Sequence, residues 1–438
     1  MQQNKYFLEC KNCKHITPSF KHWFEQNQLC PKCGSKHSEV WYHSDYNKLT
    51  SNFNGAPESF WQYFDYLPLI HKQNIVSCNE GAIPLERWNF LEDYAQKEHG
   101  IKCEVWVYRN DLNGGTGTFK DVAASLAASL FKEHNIQHYI VASTGNTATS
   151  YSKYLALGDI LCSVFIPDNA LKASEAVISA FCQKVYRVTG DYAKAKVIAA
   201  QFAQQNNVLI SSGNIDPIRV EAKKTMVFEW LRQLKKFPDV YIQAISGGTG
   251  PIAIDKGVRE IANVFPHIKN PRLLMVQPDK CDPMVQAWEN AEKNNFPSGF
   301  EKEYPVLEAP QTAVPTLATG NPATYPLIAK LVEKTNGTFI RIKEEKLVDI
   351  ARLVAFEKKV LLGPASAVCM AGFFKALKEN RIKNSETVLV NTGEGTNRAP
   401  DFLEQMIYTT DYVNQLQDCK IHNKEYHREK LWNSINEL

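Results

Sequence analysis

The sequence predicts an α/β protein of two domains preceded by a small zinc-ribbon-like segment. Three observations carry that prediction. From about residue 100 onward, short apolar runs alternate regularly with amphipathic helical stretches, the signature of βαβ units and parallel sheets covered on both faces. Four of the eleven cysteines stand in two Cys-x-x-Cys pairs within the first forty residues. At 438 residues the chain is long enough for two or three domains at roughly 150 residues each.

The elements follow in order. Cys10 and Cys13 form one pair and Cys30 and Cys33 the second, with sixteen residues between the pairs. Each pair fits a tight turn, and Gly34 supports such a turn after the second. Four thiolates can complete a tetrahedron around one ion, which predicts a structural Zn2+ site with no open position; the alternative is four unliganded thiols. Residues 40–100 are aromatic-rich, above all Phe60-Trp61-Gln62-Tyr63-Phe64-Asp65-Tyr66, and read as a packed segment covering a core. Strands are then expected at Cys103–Tyr108, Gln137–Ala142, Leu161–Ile166, Lys184–Val188, Val208–Ile210, Val240–Ile245, Leu273–Val276 and Thr387–Val390. Helices are expected at Lys120–His134, Ala148–Leu157, Ala173–Phe181, Asp191–Gln205 and Arg219–Lys235. Positions 280–325 are proline-rich and read as irregular surface loops around a site. The tail, 401–438, reads as polar helix. The expected units are residues 1–45 for the ribbon-like segment, 46–125 with 215–400 for a large domain, and 126–214 for a smaller one that closes on substrate.

Composition narrows the function. Fifty Lys and Arg against 47 Asp and Glu leave a net charge of +3, so no basic excess marks a nucleic-acid or membrane-surface binder. No apolar run approaches the ~20 residues of a membrane span. The N-terminus has no signal-peptide core, so a cytoplasmic protein is expected.

Four segments carry chemistry, each where a strand hands over to a loop or helix. In Asn113-Gly114-Gly115-Thr116-Gly117-Thr118-Phe119-Lys120-Asp121, a lysine enters a helix of small apolar residues. Desolvation and the helix dipole both favour its neutral amine, the nucleophile for a Schiff base; the alternative is a solvated first-turn lysine. Ser143-Thr144-Gly145-Asn146-Thr147 offers hydroxyls and amides at a helix start, suited to a carboxylate or phosphate, or simply to capping. Ser246-Gly247-Gly248-Thr249-Gly250-Pro251 follows an apolar strand and can turn backbone amides toward a phosphate, with a plain tight turn as the equal alternative; it is neither the P-loop nor the Rossmann pattern. Asn391-Thr392-Gly393-Glu394-Gly395-Thr396-Asn397 follows the last strand, where the Thr392 hydroxyl could face a bound ring; taken alone, it reads rather as a glycine-rich turn closing the strand. A nucleophilic lysine, two anion cradles and a ring partner together are what pyridoxal 5'-phosphate needs.

These residues resemble fold-type II pyridoxal-phosphate enzymes of tryptophan synthase β-like architecture, specifically the threonine synthase and cysteate synthase group. Glu80-Gly81-Ala82-Ile83-Pro84-Leu85, Thr118-Phe119-Lys120-Asp121, Ala142–Thr147, Gly320-Asn321-Pro322-Ala323 and Gly363–Ala367 look like motifs of that group, in order over residues 78–400. The resemblance implies that Lys120 holds the cofactor as a Schiff base and then acts as acid and base. It implies that Asn146 contacts the cofactor's phenolic oxygen, and that Ser143, Thr144, Gly145 and Thr147 hold the substrate carboxylate. Gly247, Gly248, Thr249 and Gly250 would bind the cofactor phosphate, and Thr392 would meet the ring nitrogen. A homodimer is implied by the resemblance alone.

Three departures bear on the substrate. Val122 stands where threonine synthases have Arg, the phosphate loop is Ser246–Gly250, and Glu394 replaces a His. Tyr63–Pro68, Gly190-Asp191-Tyr192, Ser246–Gly250 and Gln277–Trp288 look more like cysteate synthase. The expected function is therefore β-replacement on an O-phosphoserine-like amino acid by sulfite or another small nucleophile. The alternative within enzymes is threonine synthase, acting on O-phosphohomoserine. The alternative from another class is a zinc-ribbon binding or sensor protein with a degenerate enzyme body.

Overall fold

The structure, a computed structural model, describes residues 5–55, 57–143 and 145–437. Thr144, one of the predicted carboxylate-holding residues, lies outside them. The strands along the chain are β1 (Tyr6–Cys10), β2 (Ile16–Thr17), β3 (Ser38–Tyr42), β4 (Leu85–Arg87), β5 (Glu104–Tyr108), β6 (His138–Ala142), β7 (Leu161–Pro167), β8 (Lys184–Val188), β9 (Leu209–Ile210), β10 (Val240–Ala244), β11 (Arg272–Pro278), β12 (Thr338–Ile342) and β13 (Thr387–Asn391). They form three sheets: a ribbon of order β2-β1-β3, a six-stranded sheet β12-β11-β10-β13-β5-β4 and a four-stranded sheet β8-β7-β6-β9.

The α/β prediction holds in its physical basis. β10, β11 and β13 are nearly continuous apolar runs because helices cover both faces of their sheet. Alternate residues go to opposite cores. Val240, Ile242, Leu274 and Val276 join Trp88, Phe373 and Leu377 on one side. Tyr241, Leu273 and Met275 join Met226, Trp230 and Trp288 on the other. The four-stranded sheet is parallel throughout. The six-stranded sheet is parallel except at its edge, where the short β4 pairs antiparallel with β5.

Two expectations need correction. Within the stretch read as loops, Pro283–Lys293 is a helix whose Met284, Val285, Ala287 and Trp288 are buried; the proline sits at its first turn, where a missing N–H costs nothing. The tail is not one polar helix. Among the described residues only Pro400–Glu404 and Lys424–Asn436 are α-helical, Leu416–Asp418 is a single 3-10 turn, and the last helix is docked: Leu431 and Ile435, four apart, are buried, and Trp432 stacks on Tyr94 at 4.9 Å between ring centres. The aromatic segment is packed as expected, with Phe60, Trp61, Tyr63 and Tyr66 buried on a 3-10 helix broken at Tyr63. Among the described residues, no helix is long and apolar enough to cross a membrane.

Candidate active site

The four chemical segments follow the carboxyl ends of β5, β6, β10 and β13, and the first three of them meet at one cleft. A cavity of about 560 Å3 opens there. Of the predicted residues, Lys120, Ser143, Thr147, Gly247, Gly248, Thr249 and Gly250 line it. Gly145, Asn146 and Thr392 do not.

Lys120 immediately precedes the helix Asp121–Glu133. Burial lowers its pKa, Glu394 opposes this, Arg219 lowers it further and Asp121 opposes again; the net direction is down, toward a neutral amine. The loop before it is pinned by the fully buried Asp121. That carboxylate accepts from Thr116 N (3.1 Å), Thr118 N (2.9 Å), Thr116 Oγ1 (2.7 Å) and Ser150 Oγ (2.8 Å). Phe119 N donates to Gly393 O at 3.0 Å, tying the lysine loop to the loop after β13.

Burial nonetheless pushes the Asp121 carboxyl up from 3.8 to about 6. The folded state therefore holds this proton more tightly than the unfolded chain. Its contribution is most favourable at low pH and falls as pH rises from about 4 to about 6, by about 3 kcal/mol from the size of the pKa change. Asp121→Asn keeps an acceptor for the two amides and removes the titration. Urea denaturation from pH 4 to 7 should show wild-type stability falling relative to Asp121→Asn across that window. Parallel curves would sink the assignment.

The glycine loop is shaped for close approach. Gly248 has φ +83°, and a Cβ there would lie 2.6 Å from Ile328 Cδ1. A Cβ on Gly247 would meet Asn214 Nδ2 at 1.8 Å, and one on Gly250 would meet Gln243 Oε1 at 2.2 Å. The loop opens the helix Thr249–Ile261, so its amides face the cleft at the positive end of the helix. Ser143 Oγ accepts from Gly145 N and Ala148 N, both at 3.2 Å, so the capping role is realised at that hydroxyl. Asn146 begins the helix Asn146–Leu157, and its Nδ2 donates to Glu394. Glu394 is buried and also accepts from Ala365 N at 2.9 Å. Thr392 is fully buried; its hydroxyl contacts Tyr108 O (2.9 Å) and Asp111 Oδ1 (2.7 Å).

The sequence reading missed the cations. Lys36, Lys196, Arg219 and Lys223 line the cavity alongside Lys120. Arg219 and Lys223 are one turn apart on the helix Pro217–Leu234, which was legible as a spacing but not as a direction. Lys36 and His37 come from the ribbon, far from Lys120 along the chain.

The donor set fits pyridoxal phosphate: a buried amine of lowered pKa, a glycine cradle that side chains would fill, and cations for its phosphate. The sequence model of the pyridoxal-phosphate dependent enzyme family matches residues 76–393. The chain belongs to this family. It is a pyridoxal-phosphate-dependent enzyme with the fold-type II architecture. The family member named threonine synthase in Methanocaldococcus jannaschii is 30% identical over 340 residues, covering 76% of this chain and 80% of its own. The threonine synthase of Bacillus sp. (strain ULM1) is 27% identical over 371 residues, covering 83% and 97%. Among solved structures, maize serine racemase superposes with a TM-score of 0.59 at 16% identity, covering 74% and 91%. O-ureido-L-serine synthase gives 0.58 at 16%, covering 75% and 94%. These structural likenesses concern the fold.

At the ribbon, the four cysteine sulfurs lie within 4.8 Å of one another, with Cys10–Cys33 at 3.6 Å and Cys13–Cys30 at 3.5 Å. The edge of a zinc–thiolate tetrahedron is about 3.8 Å for Zn–S bonds near 2.3 Å. The cluster can hold a metal ion such as zinc, with no histidine needed.

Proposed function

We propose that this enzyme removes phosphate from the side chain of an O-phosphorylated amino acid and replaces it with a small anionic nucleophile such as sulfite. The observation that carries this reading is the cationic wall. Lys36, Lys196, Arg219 and Lys223 accompany Lys120 around one cavity, four cationic side chains against the roughly three negative charges of one cofactor phosphate and one substrate carboxylate, which supports a further anion on the substrate.

Bound in the cleft, the cofactor would supply an electron sink for the carbanion next to the substrate nitrogen. The chain's residues do the rest. Lys120 would hold the cofactor and then take and return the proton at the substrate α-carbon, a task suited to an amine held neutral by burial. Gly247, Gly248, Thr249 and Gly250 would hold the cofactor phosphate through backbone amides. Ser143, Thr144, Gly145 and Thr147 would orient the substrate carboxylate. Asn146, fixed by Glu394, would face the cofactor oxygen, and Thr392 would serve the ring nitrogen by exchanging its bond to Asp111. Residues 126–214, which carry the four-stranded sheet, would close over the substrate and exclude water.

The second reading is threonine synthase, with O-phosphohomoserine as substrate and water as nucleophile. The named relatives support it directly, at 30% and 27% identity over most of the chain. The replacement of a family His by Glu394 speaks for the first.

Phosphate release by the holoenzyme separates them. With O-phosphoserine, release that accelerates and yields a sulfonate on adding sulfite is expected. Release from O-phosphohomoserine alone, with threonine formed, would replace the first reading by the second.

A further inference from the structure

The ribbon reaches the active-site cavity through one short loop. Lys36 and His37 line that cavity together with Lys120, Ser143 and the glycine loop. The inner wall is buried: Phe119 is 5% exposed and Lys223 3%, with Lys120 Nζ 5.4 Å and Lys223 Nζ 4.3 Å from the centre of the Phe119 ring. Lys36 is exposed and His37 half-buried, so these two stand at the opening. Among the described residues Lys36 forms no ion pair. The loop runs from Gly34 to His37, and its backbone ties run to the cysteine knuckles. Gly34 N donates to Cys30 O at 2.8 Å, Cys30 N to Ser35 O at 2.9 Å, and Lys11 N, next to Cys10, to His37 O at 3.0 Å. Cys33 precedes the loop. Ser38 follows it and stands opposite Cys10 in the register of β1 and β3. The two cysteines that bracket the loop are themselves close, 3.6 Å between sulfurs. The body of the ribbon is held by other means. Phe20, Trp23, Phe24 and Val40 are buried in one apolar core with Leu126 and Phe131. Tyr42 donates to Glu221 at 2.7 Å, and Lys5 Nζ to Leu69 O at 2.8 Å.

A short loop keeps one position only while both its ends are fixed. An ion held by Cys10, Cys13, Cys30 and Cys33 would fix both ends of this one at once, whereas the apolar core and Tyr42 hold only the body behind it. We infer that the ribbon is a working part of the active site. Its second knuckle supplies the outer rim of the substrate cavity. Lys36 on that rim is a specificity-determining residue for amino acids with an anionic group on the side chain, and the metal ion acts through the rim on substrate affinity. The anionic side chain rests on the proposed function; the dependence of the rim on the metal does not. Lys36 would attract the anion at the opening and pair with it there, within reach of water, which suits selection of the substrate and not its chemistry. Lys120 lies deeper, so changes at the rim should move affinity and leave the cofactor spectrum of the resting holoenzyme as it is.

The test uses the holoenzyme loaded with zinc and reads binding from the change in cofactor absorption. L-serine, O-phosphoserine and O-phosphohomoserine are titrated separately. Lys36→Gln should weaken the phosphorylated amino acid that wild type takes by about fivefold, the upper end for an exposed ion pair, and leave L-serine within about twofold. Wild type stripped of zinc by dialysis against a chelator should show the same selective weakening with Lys36 intact, and added zinc should reverse it. Stripping Lys36→Gln should add less than about twofold, because both changes act through one contact. Lys36→Gln leaves every cysteine in place, so it decides the matter even if the stripped protein unfolds. Unchanged affinity for the phosphorylated ligand in Lys36→Gln, equal weakening of L-serine on stripping, or four cysteines that take up no zinc overturns the inference. If wild type takes O-phosphohomoserine and not O-phosphoserine, the first proposed function falls, while selective weakening of that ligand by Lys36→Gln still supports the rim. A wild type that takes neither phosphorylated amino acid overturns the specificity assigned to Lys36.

Discussion

Lys120→Ala should abolish turnover, lowering the rate of phosphate release by at least about 10^3-fold, because it removes both the covalent attachment and the proton carrier in one step. The structure makes this the largest single effect on activity for a physical reason. Among the lysines that line the cavity, Lys120 is the one set at the start of a helix, on a loop held by three hydrogen bonds to Asp121, which Ser150 also holds, and by Phe119 N to the loop after β13. No neighbour can take its place. Lys223 flanks the same aromatic ring but projects from a different helix. Borohydride treatment of the holoenzyme followed by peptide mass analysis gives an independent readout. The cofactor mass should appear on the peptide containing Lys120 in wild type and on no peptide of Lys120→Ala. Labelling of Lys223 instead, or turnover within tenfold of wild type, would refute the assignment. Restoring part of the rate with a small free amine would show that the lost group is the base and not the fold.

The parts of this molecule legible in the sequence are those encoded locally. Apolar runs such as Val240–Ala244 and Thr387–Asn391 announce buried parallel strands, and the paired cysteines announce their own convergence. The lysine was legible because glycine, lysine and a small-residue helix follow one another within a dozen positions. What was not legible depends on direction and on distance along the chain. Arg219 and Lys223 lie in a helix where Lys224, Glu221 and Arg232 are equally charged, and only tertiary packing decides which face meets the cavity. Lys36 reaches the cavity because β3 lays the ribbon against that same helix, a contact with no local signal. The docked end of the tail was missed for a related reason. Leu431, Trp432 and Ile435 are a short apolar set in a polar stretch, yet they suffice once Tyr94 and Phe374 offer their rings to Trp432.

Lys224→Met should be the most destabilising conservative-volume change in the molecule, costing about 3–5 kcal/mol, the usual price of stranding buried charge. Lys224 and Lys256 share Glu221 and Glu260 in a space where all four side chains are nearly inaccessible. Two positive and two negative charges cancel there, and the phenols of Tyr42 and Tyr46 donate to Glu221 (2.7 Å) and Glu260 (2.5 Å). Removing one lysine leaves two carboxylates to one amine, with no route for water. The cluster also ties three parts of the site together. Tyr42 belongs to the ribbon strand β3, Glu221 and Lys224 to the helix that carries Arg219 and Lys223, and Lys256 and Glu260 to the helix that opens at the glycine loop. Beside it, Glu39 of β3 accepts from Lys11 at 3.0 Å and pairs with Arg259. Loss of the lysine should therefore lower the urea midpoint and weaken cofactor retention together, although no cluster residue lines the cavity. The double change Lys224→Met with Glu221→Gln restores neutrality, and it should recover more than half of the lost stability if charge imbalance is the cause. If Lys224→Met unfolds at the wild-type midpoint, or if the double variant is less stable than the single one, the cluster is held by packing and not by its ion pairs.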